Sequence, residues 1–263
     1  MTQDNQEPVL YEKLPEKIAV VTLNRPKALN STNRAMWNRL TEIWHEVKAD
    51  RDVSVIVLTG AGDRSFCAGA DLKEMSAGSG EATPFDTTPS QLLENWDYDL
   101  WKPIICAVNG YALGNGVSMM MSTDIRLASE DAVFGMSQIK WALVSGNGTQ
   151  ILPRFLSYPV AMEMLLTGDN ISAQRAYEIG LINRVVPKGQ LMDETMALAR
   201  KVAGYAPLAL QGIKEAAVRG MSFNLREAIV WGLRMERLNM FTEDAKEGPK
   251  SFAEKRAPQW QGR

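Results

Sequence analysis

The sequence predicts an α/β fold with strands gathered in its first half and helices in roughly its last hundred residues. Three observations carry this. Short runs dense in β-branched residues, such as IAVVTL (18–23) and VSVIVL (53–58), mark strands in the N-terminal half. One segment between them repeats its apolar residues at helical spacing, and from Val160 onward that spacing dominates. No apolar run approaches the ~20 residues of a membrane span, so these faces must be buried against one another.

Taken in order, Ile18–Leu23 is a strand broken by Asn24-Arg25-Pro26. From Thr32 to Ala49, Met36, Leu40, Ile43 and Val47 form one face of an amphipathic helix. His45 lies off that face and reads as a surface residue. Val53–Leu58 is the next strand, closed by Thr59-Gly60-Ala61-Gly62. Residues 76–89 carry Gly, Pro, Ser and Thr without period and read as a loop, followed by a helix over Ser90–Trp101. Ile104–Val108, Ile125–Ala128 and Ala132–Phe134 are further strands, with a short apolar helix at Val117–Met121. Strand-strand-helix units recur from 18 to 135 without a strict period. Helices are expected over 160–166, 173–179, 190–204, 207–219, 224–240 and 244–256, with Asn183–Pro187 as a border. The division is into residues 1–200 and a helical part, 201–263.

Hydrophobic and charged contents of 45% and 23% are those of a globular domain able to bury a core without disulfides. A formal charge of −2 argues against nucleic acid as a partner. Cys67 and Cys106 sit in apolar contexts and read as buried thiols of a reducing compartment. The polar, acidic start MTQDNQEPV lacks the features of a signal peptide, so the cytoplasm is the expected location. One histidine and two cysteines disfavour metal sites and histidine triads. The chemistry is left to carboxylates, hydroxyls, amides or backbone.

Two glycine-containing turns stand out: Ser65-Phe66-Cys67-Ala68-Gly69-Ala70-Asp71-Leu72 and Asn109-Gly110-Tyr111-Ala112-Leu113-Gly114-Asn115-Gly116. Each follows a strand and leads toward a helix. Small residues let a backbone approach a ligand and leave amide N–H groups exposed. Two such turns side by side could hold one oxygen between two donors, the geometry of an oxyanion hole. An alternative is that the glycines merely turn the chain. Neither turn matches the dinucleotide or P-loop patterns, and Ser118 and Ser145 do not lie in a hydrolase elbow.

The residues also carry a resemblance. VTLNRPKALN (21–30), VIVLTGAGDRSFCAGADLKEM (55–75), KPIICAVNGYALGNG (102–116), TDIRLASEDAVFG (123–135), AMEMLLTGDNISAQRAYEIGLINRVVP (161–187) and EGPKSFAEKRAPQW (247–260) resemble the crotonase, or enoyl-CoA hydratase/isomerase, family over nearly the whole chain. The resemblance implies a spiral of ββα units, C-terminal helices that pack homotrimers or homohexamers, and an acyl-CoA substrate with no separate cofactor. It places the two oxyanion-hole amides at Ala70 and Asn115. It implies a coenzyme A path along Arg25, Ala28, Ala68, Asp71 and Leu72, with Lys27, Lys73, Lys255 and Arg256 as candidates for the phosphates.

The chain departs from that pattern where the family's hydratases place two glutamates. Those positions hold Ser118 and Gln138. Serine and glutamine hydrogen-bond water but do not exchange protons near neutral pH, and a positioned acid or base contributes roughly 10²–10⁴ in rate. Asn115 stands where a glycine is usual, and is expected to need a backbone angle that asparagine tolerates. The turn at Ser145-Gly146-Asn147-Gly148-Thr149 looks one residue short. Substitute acids considered are Asp86, Glu94, Asp97, Asp99, Glu236, Glu243 and Asp244, with Asp124 read as structural. Tyr98, Tyr111, Trp96, Trp101, Trp141 and Met119–Met121 are compatible with a bulky acyl group, though each alone reads as core. Three functions compete: an acyl-CoA enzyme working through an enolate, a non-catalytic acyl-CoA binder, and a structural trimer with vestigial turns.

Overall fold

The structure, a computed structural model, describes residues 7–76 and 98–263. Its strands are divided between two sheets. β1 (Val9–Leu14), β2 (Ile18–Leu23), β3 (Val55–Gly60), β5 (Ile104–Val108), β7 (Ile125–Ser129) and β10 (Arg184–Val186) form one sheet in that order; β4 (Ser65–Cys67), β6 (Tyr111–Leu113), β8 (Val133–Gly135) and β9 (Asn170–Ser172) form the other. Among the described residues, only the β1–β2 and β8–β9 pairs are antiparallel. Three successive turns of chain thus each lay one strand on the first sheet and the next on the second, parallel to the turn before. This is a spiral of stacked units.

Alternation along the central strands divides the core. Ile56 and Leu58 face one hydrophobic cluster with α1 (Arg34–Ala49), whose Met36, Leu40, Ile43, Trp44 and Val47 are buried. Val55 and Val57 face a second cluster with Leu191 and Ala199 of α7 (Leu191–Ala203). Two-sided burial explains why β3 is apolar almost throughout. Helix α1 starts at Asn33, whose side chain accepts from the Met36 amide. It ends on the buried Lys102 amine, which donates to the carbonyl oxygens of Val47 and Asp50.

The expected strands over 18–23 and 104–108 are found at those bounds, and His45 is exposed as expected. Both cysteines are buried, as expected. The strand expected at Val53–Leu58 instead runs Val55–Gly60, so part of the supposed turn is strand. The border at Asn183–Pro187 contains β10, which adds to the sheet beside β7. The later glycine turn belongs to a helix, α4 (Gly146–Phe155), capped by Ser145 on the Gly148 amide. The supposed helix over Ser90–Trp101 lies mostly outside the described residues, and its described end, Tyr98–Trp101, is not helical. The supposed loop 76–89 lies outside them except for Ser76, which closes α2 (Leu72–Ser76).

α5 (Tyr158–Thr167) and α6 (Ala173–Glu178) precede β10; α8 (Pro207–Gly220), α9 (Leu225–Met240) and α10 (Glu243–Ala253) follow α7. Lys214 of α8 is buried and pairs with Asp124 at 2.8 Å, while Asp124 also accepts from the Ile104 amide. Asp124 therefore has the structural role expected of it, holding a C-terminal helix against the sheet. No described helix is long and apolar enough to cross a membrane.

Candidate active site

The first turn is held from behind. Thr32 pairs with Ala70 in a parallel bridge: its amide donates to Gly69 O, and the Asp71 amide donates to Thr32 O. Residues on either side of Ala70 make these bonds, so the N–H and C=O of Ala70 itself point the other way. Gly69 has φ 99°, a left-handed value suited to glycine. A Cβ there would lie 3.1 Å from Leu113 O and 3.9 Å from Asn115 N, so the first turn abuts the second.

Asn115 opens α3 (Asn115–Met121), and at such a position a backbone N–H has no acceptor within its own helix. The expectation that Asn115 takes an unusual backbone angle is overturned. Gly114 takes it, with φ 53°, and leaves Asn115 helical. The Asn115 side chain turns back and donates from Nδ2 to Thr32 Oγ1 at 3.2 Å. Thr32 thus touches both turns. Gly116 is equally constrained: a Cβ would lie 2.1 Å from Cys67 O.

Asn30 ties the surrounding chain together. It sits at φ 54°, accepts from the Arg25 amide, and donates to Ala61 O and Ser65 O. Neither Asn30 nor Thr32 was singled out from sequence. The signal available for Asn30 was the tolerance of asparagine for left-handed backbone in the Ala28-Leu29-Asn30 turn. Ala28 closes a short 3-10 turn beside Arg25, and the Ala68 amide donates to Leu29 O. Arg25 pairs with Asp71 at 2.9 Å and donates to Ser31 O. Burial pushes the Asp71 carboxyl up, but the bonds and charge from Arg25 outweigh it and leave the group below its usual range. Asp71 also accepts from the Lys73 and Glu74 amides at the start of α2. The first turn leads into a helix as expected, and the Asp71-Leu72-Lys73-Glu74 spacing marks where it starts.

The model of the enoyl-CoA hydratase/isomerase family matches residues 13–263. The chain belongs to that family. It is 42% identical over 261 residues to an (E)-benzylidenesuccinyl-CoA hydratase of Thauera aromatica, covering 97% of this chain and 99% of that one. It is 38% identical over 250 residues to a short-chain-enoyl-CoA hydratase of Clostridium acetobutylicum, covering 94% and 95%. An enoyl-CoA hydratase structure from Bacillus anthracis superposes with a TM-score of 0.89 at 32% identity, covering 97% of this chain and 100% of that one. The spiral is the crotonase fold, and the chain is an acyl-CoA enzyme of the enoyl-CoA hydratase/isomerase type.

In this enoyl-CoA hydratase/isomerase chain, Ser118 is the fourth residue of α3 and is buried, and its amide donates to Gly114 O. Gln138 lies on a 3-10 turn (Ser137–Trp141) that brings its side chain against Gly114. Arg25, Ala28, Ala68, Ala70, Asp71, Asn115, Ser118 and Gln138 are therefore linked through the two turns and their neighbours. Leu72 and Lys73 stand exposed on α2 beside them. Lys255 is exposed past the end of α10 and makes no hydrogen bond or ion pair with that group among the described residues. Arg256 is engaged by Glu247 and Glu254.

Of the substitute acids, Asp86, Glu94 and Asp97 lie outside the described residues, as does Trp96. Asp99 pairs with Arg219 at 2.7 Å, and Glu243 with Lys246. Asp244 is buried and accepts from the Gln261 and Gly262 amides, a structural clasp. Glu236 is exposed. Trp101 lies under the Arg219 guanidinium, Trp141 and Tyr111 are exposed, and Met119–Met121 belong to the core. Tyr98 is buried, its hydroxyl bonded to that of Thr41. Burial pushes the Cys67 thiol up to about 12, so it is no nucleophile near neutral pH.

Proposed function

We propose that this chain binds an acyl-CoA with its thioester oxygen between the N–H groups of Ala70 and Asn115, and stabilises the enolate formed as charge moves onto that oxygen. One observation carries the reading: two backbone donors, one turned out by the Thr32 bridge and one at a helix start, sit on abutting turns. Fixed donors aimed at developing charge need no reorganisation during reaction. Ser118 and Gln138 hold water or substrate by hydrogen bonds but do not carry the protons, so the reaction departs from two-glutamate hydration. Arg25 and Asp71 brace the coenzyme A path, with Leu72, Lys73 and the backbone of Ala28 and Ala68 along it and Lys255 at the phosphates. The name of the Thauera relative supports including aryl-bearing acyl groups among the substrates.

The exposed apolar row Leu225, Ile229, Val230 and Leu233 on α9 supports association of copies into a trimer or hexamer. Sedimentation velocity showing a monomer at micromolar concentration would remove that part of the proposal.

Asn115→Pro tests the site. Proline is tolerated at the first helical position and removes the N–H there. With the melting temperature retained, kcat/KM on the best acyl-CoA of a panel should fall about 10²–10³. The panel should hold enoyl, β-keto and aryl-bearing thioesters. A second reading, an acyl-CoA binder without turnover, is favoured by Gln138, a half-buried amide that cannot exchange a proton. Tight calorimetric binding with silence across the panel would select it, and no binding would sink both.

A further inference from the structure

A chain of hydrogen bonds runs from the second turn to the first through Thr32, which is buried. The Asn115 side chain donates from Nδ2 to Thr32 Oγ1 at 3.2 Å, and the Thr32 hydroxyl donates onward to Gly69 O at 3.4 Å. The Thr32 amide donates to that same oxygen at 2.7 Å. A carbonyl oxygen only accepts, so the hydroxyl proton must point at Gly69 O and its lone pairs are left for Asn115. The direction of the chain is thereby fixed. Gly69 O is one end of the peptide group whose other end is the Ala70 N–H, and in a planar trans peptide the two point opposite ways. Donation to the oxygen polarises the peptide and makes that N–H a stronger donor, the cooperative effect of chained hydrogen bonds away from water. The chain begins on Asn115, whose own backbone N–H stands at the helix start. A glycine at that position has no side chain with which to begin it.

We propose that Thr32 is a positioning residue for the two amides. Its hydroxyl, fed by the Asn115 side chain, holds the Ala70 and Asn115 N–H groups at a set separation and strengthens the Ala70 N–H as charge gathers on the bound oxygen. This rests on the reading of the two turns as an acyl-CoA site. With a thioester oxygen between the N–H groups, the bonds close a ring in which every donor acts toward that oxygen. Asn115 N–H and Ala70 N–H reach it directly, and the Asn115 amide and Thr32 hydroxyl reach it through the Gly69–Ala70 peptide. Hydrogen bonds of this kind tighten in the complex with substrate, so the 3.4 Å link is the one that shortens. Thr32 itself touches neither substrate nor proton. It acts through the peptide that it polarises.

The test is the infrared stretch of the thioester carbonyl of hexanoyl-CoA, isotopically labelled at that carbon and bound to the full chain, a readout that needs no turnover. Binding should lower the stretch, because two donors draw charge onto the oxygen. Thr32→Val should lose about 10–30% of that lowering, the scale of one cooperative bond. Asn115→Ala, which keeps the backbone N–H, should lose a smaller share in the same direction. Thr32→Ser, which keeps the hydroxyl, should match the unaltered chain. The double variant Thr32→Val/Asn115→Ala should read as Thr32→Val alone, since both changes break one chain. An unchanged stretch in Thr32→Val, an equal loss in Thr32→Ser, or losses that add in the double variant would overturn the proposal. Where Thr32→Val does not fold, Asn115→Ala carries the test, its side chain being half-buried, and an unchanged stretch there would overturn it equally. Absence of any lowering in the unaltered chain would bring down the reading of the two amides itself, an outcome distinct from a lowering that the variants leave intact.

Discussion

β3 buries all six of its residues, whereas α9 runs sixteen residues without burying one. Both are rich in large apolar side chains. The difference lies in what stands opposite. β3 has β2 and β5 at its edges, α1 beneath one face and α7 over the other. α9 packs on α8 and leaves Leu225, Ile229, Val230 and Leu233 more than half exposed. The spiral completes its own core, and the C-terminal helices do not. Stability in the first region should be a property of one chain, and in the second a property of its surroundings.

The largest expected effect probes that contrast directly. Leu58→Ala in β3 should cost about 2–5 kcal/mol by denaturant unfolding, as a buried leucine leaves a cavity. Leu233→Ala on α9 should change the same measurement by no more than about 0.5 kcal/mol at low protein concentration. A cost at Leu233 that grows with concentration would show that its face is covered by another copy.

Next comes the tie between the regions. Lys214→Met should cost about 2 kcal/mol, below the ~3–5 of a fully buried pair because the Asp124 side chain keeps 25% of its exposure. Limited proteolysis should then open residues 207–263 before the sheet. Equal protection of both regions would show that α8 is held by other contacts.

The remaining effect is one of pH. Burial pulls the Lys102 amine down from 10.5 to about 8. Between those values the unfolded chain holds a proton that the folded chain does not, so folding stability rises with pH from about 8 to 10.5. The urea midpoint should climb over that window, and Lys102→Met, though less stable throughout, should lose the climb. A parallel climb in both proteins would assign it elsewhere.

Much of the fold was legible because burial on two faces writes unbroken β-branched runs, as in Ile18–Leu23 and Ile104–Val108. The three-residue strands β4, β6 and β9 were not, because three residues are too few to show a period. β10 was hidden in what read as a border, since Arg184–Val186 becomes a strand only where β7 offers it an edge. At the site, the turns around Ala70 and Asn115 were visible from their small residues and their resemblance to known motifs. The direction of the Ala70 amide was not, because it depends on Thr32, far away along the chain. Nor was the assignment of the left-handed angle to Gly114 rather than Asn115, which depends on how α3 begins.

By itself, then, the sequence determined the strands and helices with strong periods, the two glycine turns, and the absence of acids at positions 118 and 138. Those are local properties, set by residue type and spacing. Only the tertiary structure decided that the turns abut, that the Asn115 side chain reaches Thr32, that Arg25 is paired with Asp71, and that the Gln138 side chain packs against Gly114. Each of these joins residues distant in the chain, and a hydrogen bond acts over about 3 Å of space whatever the sequence separation.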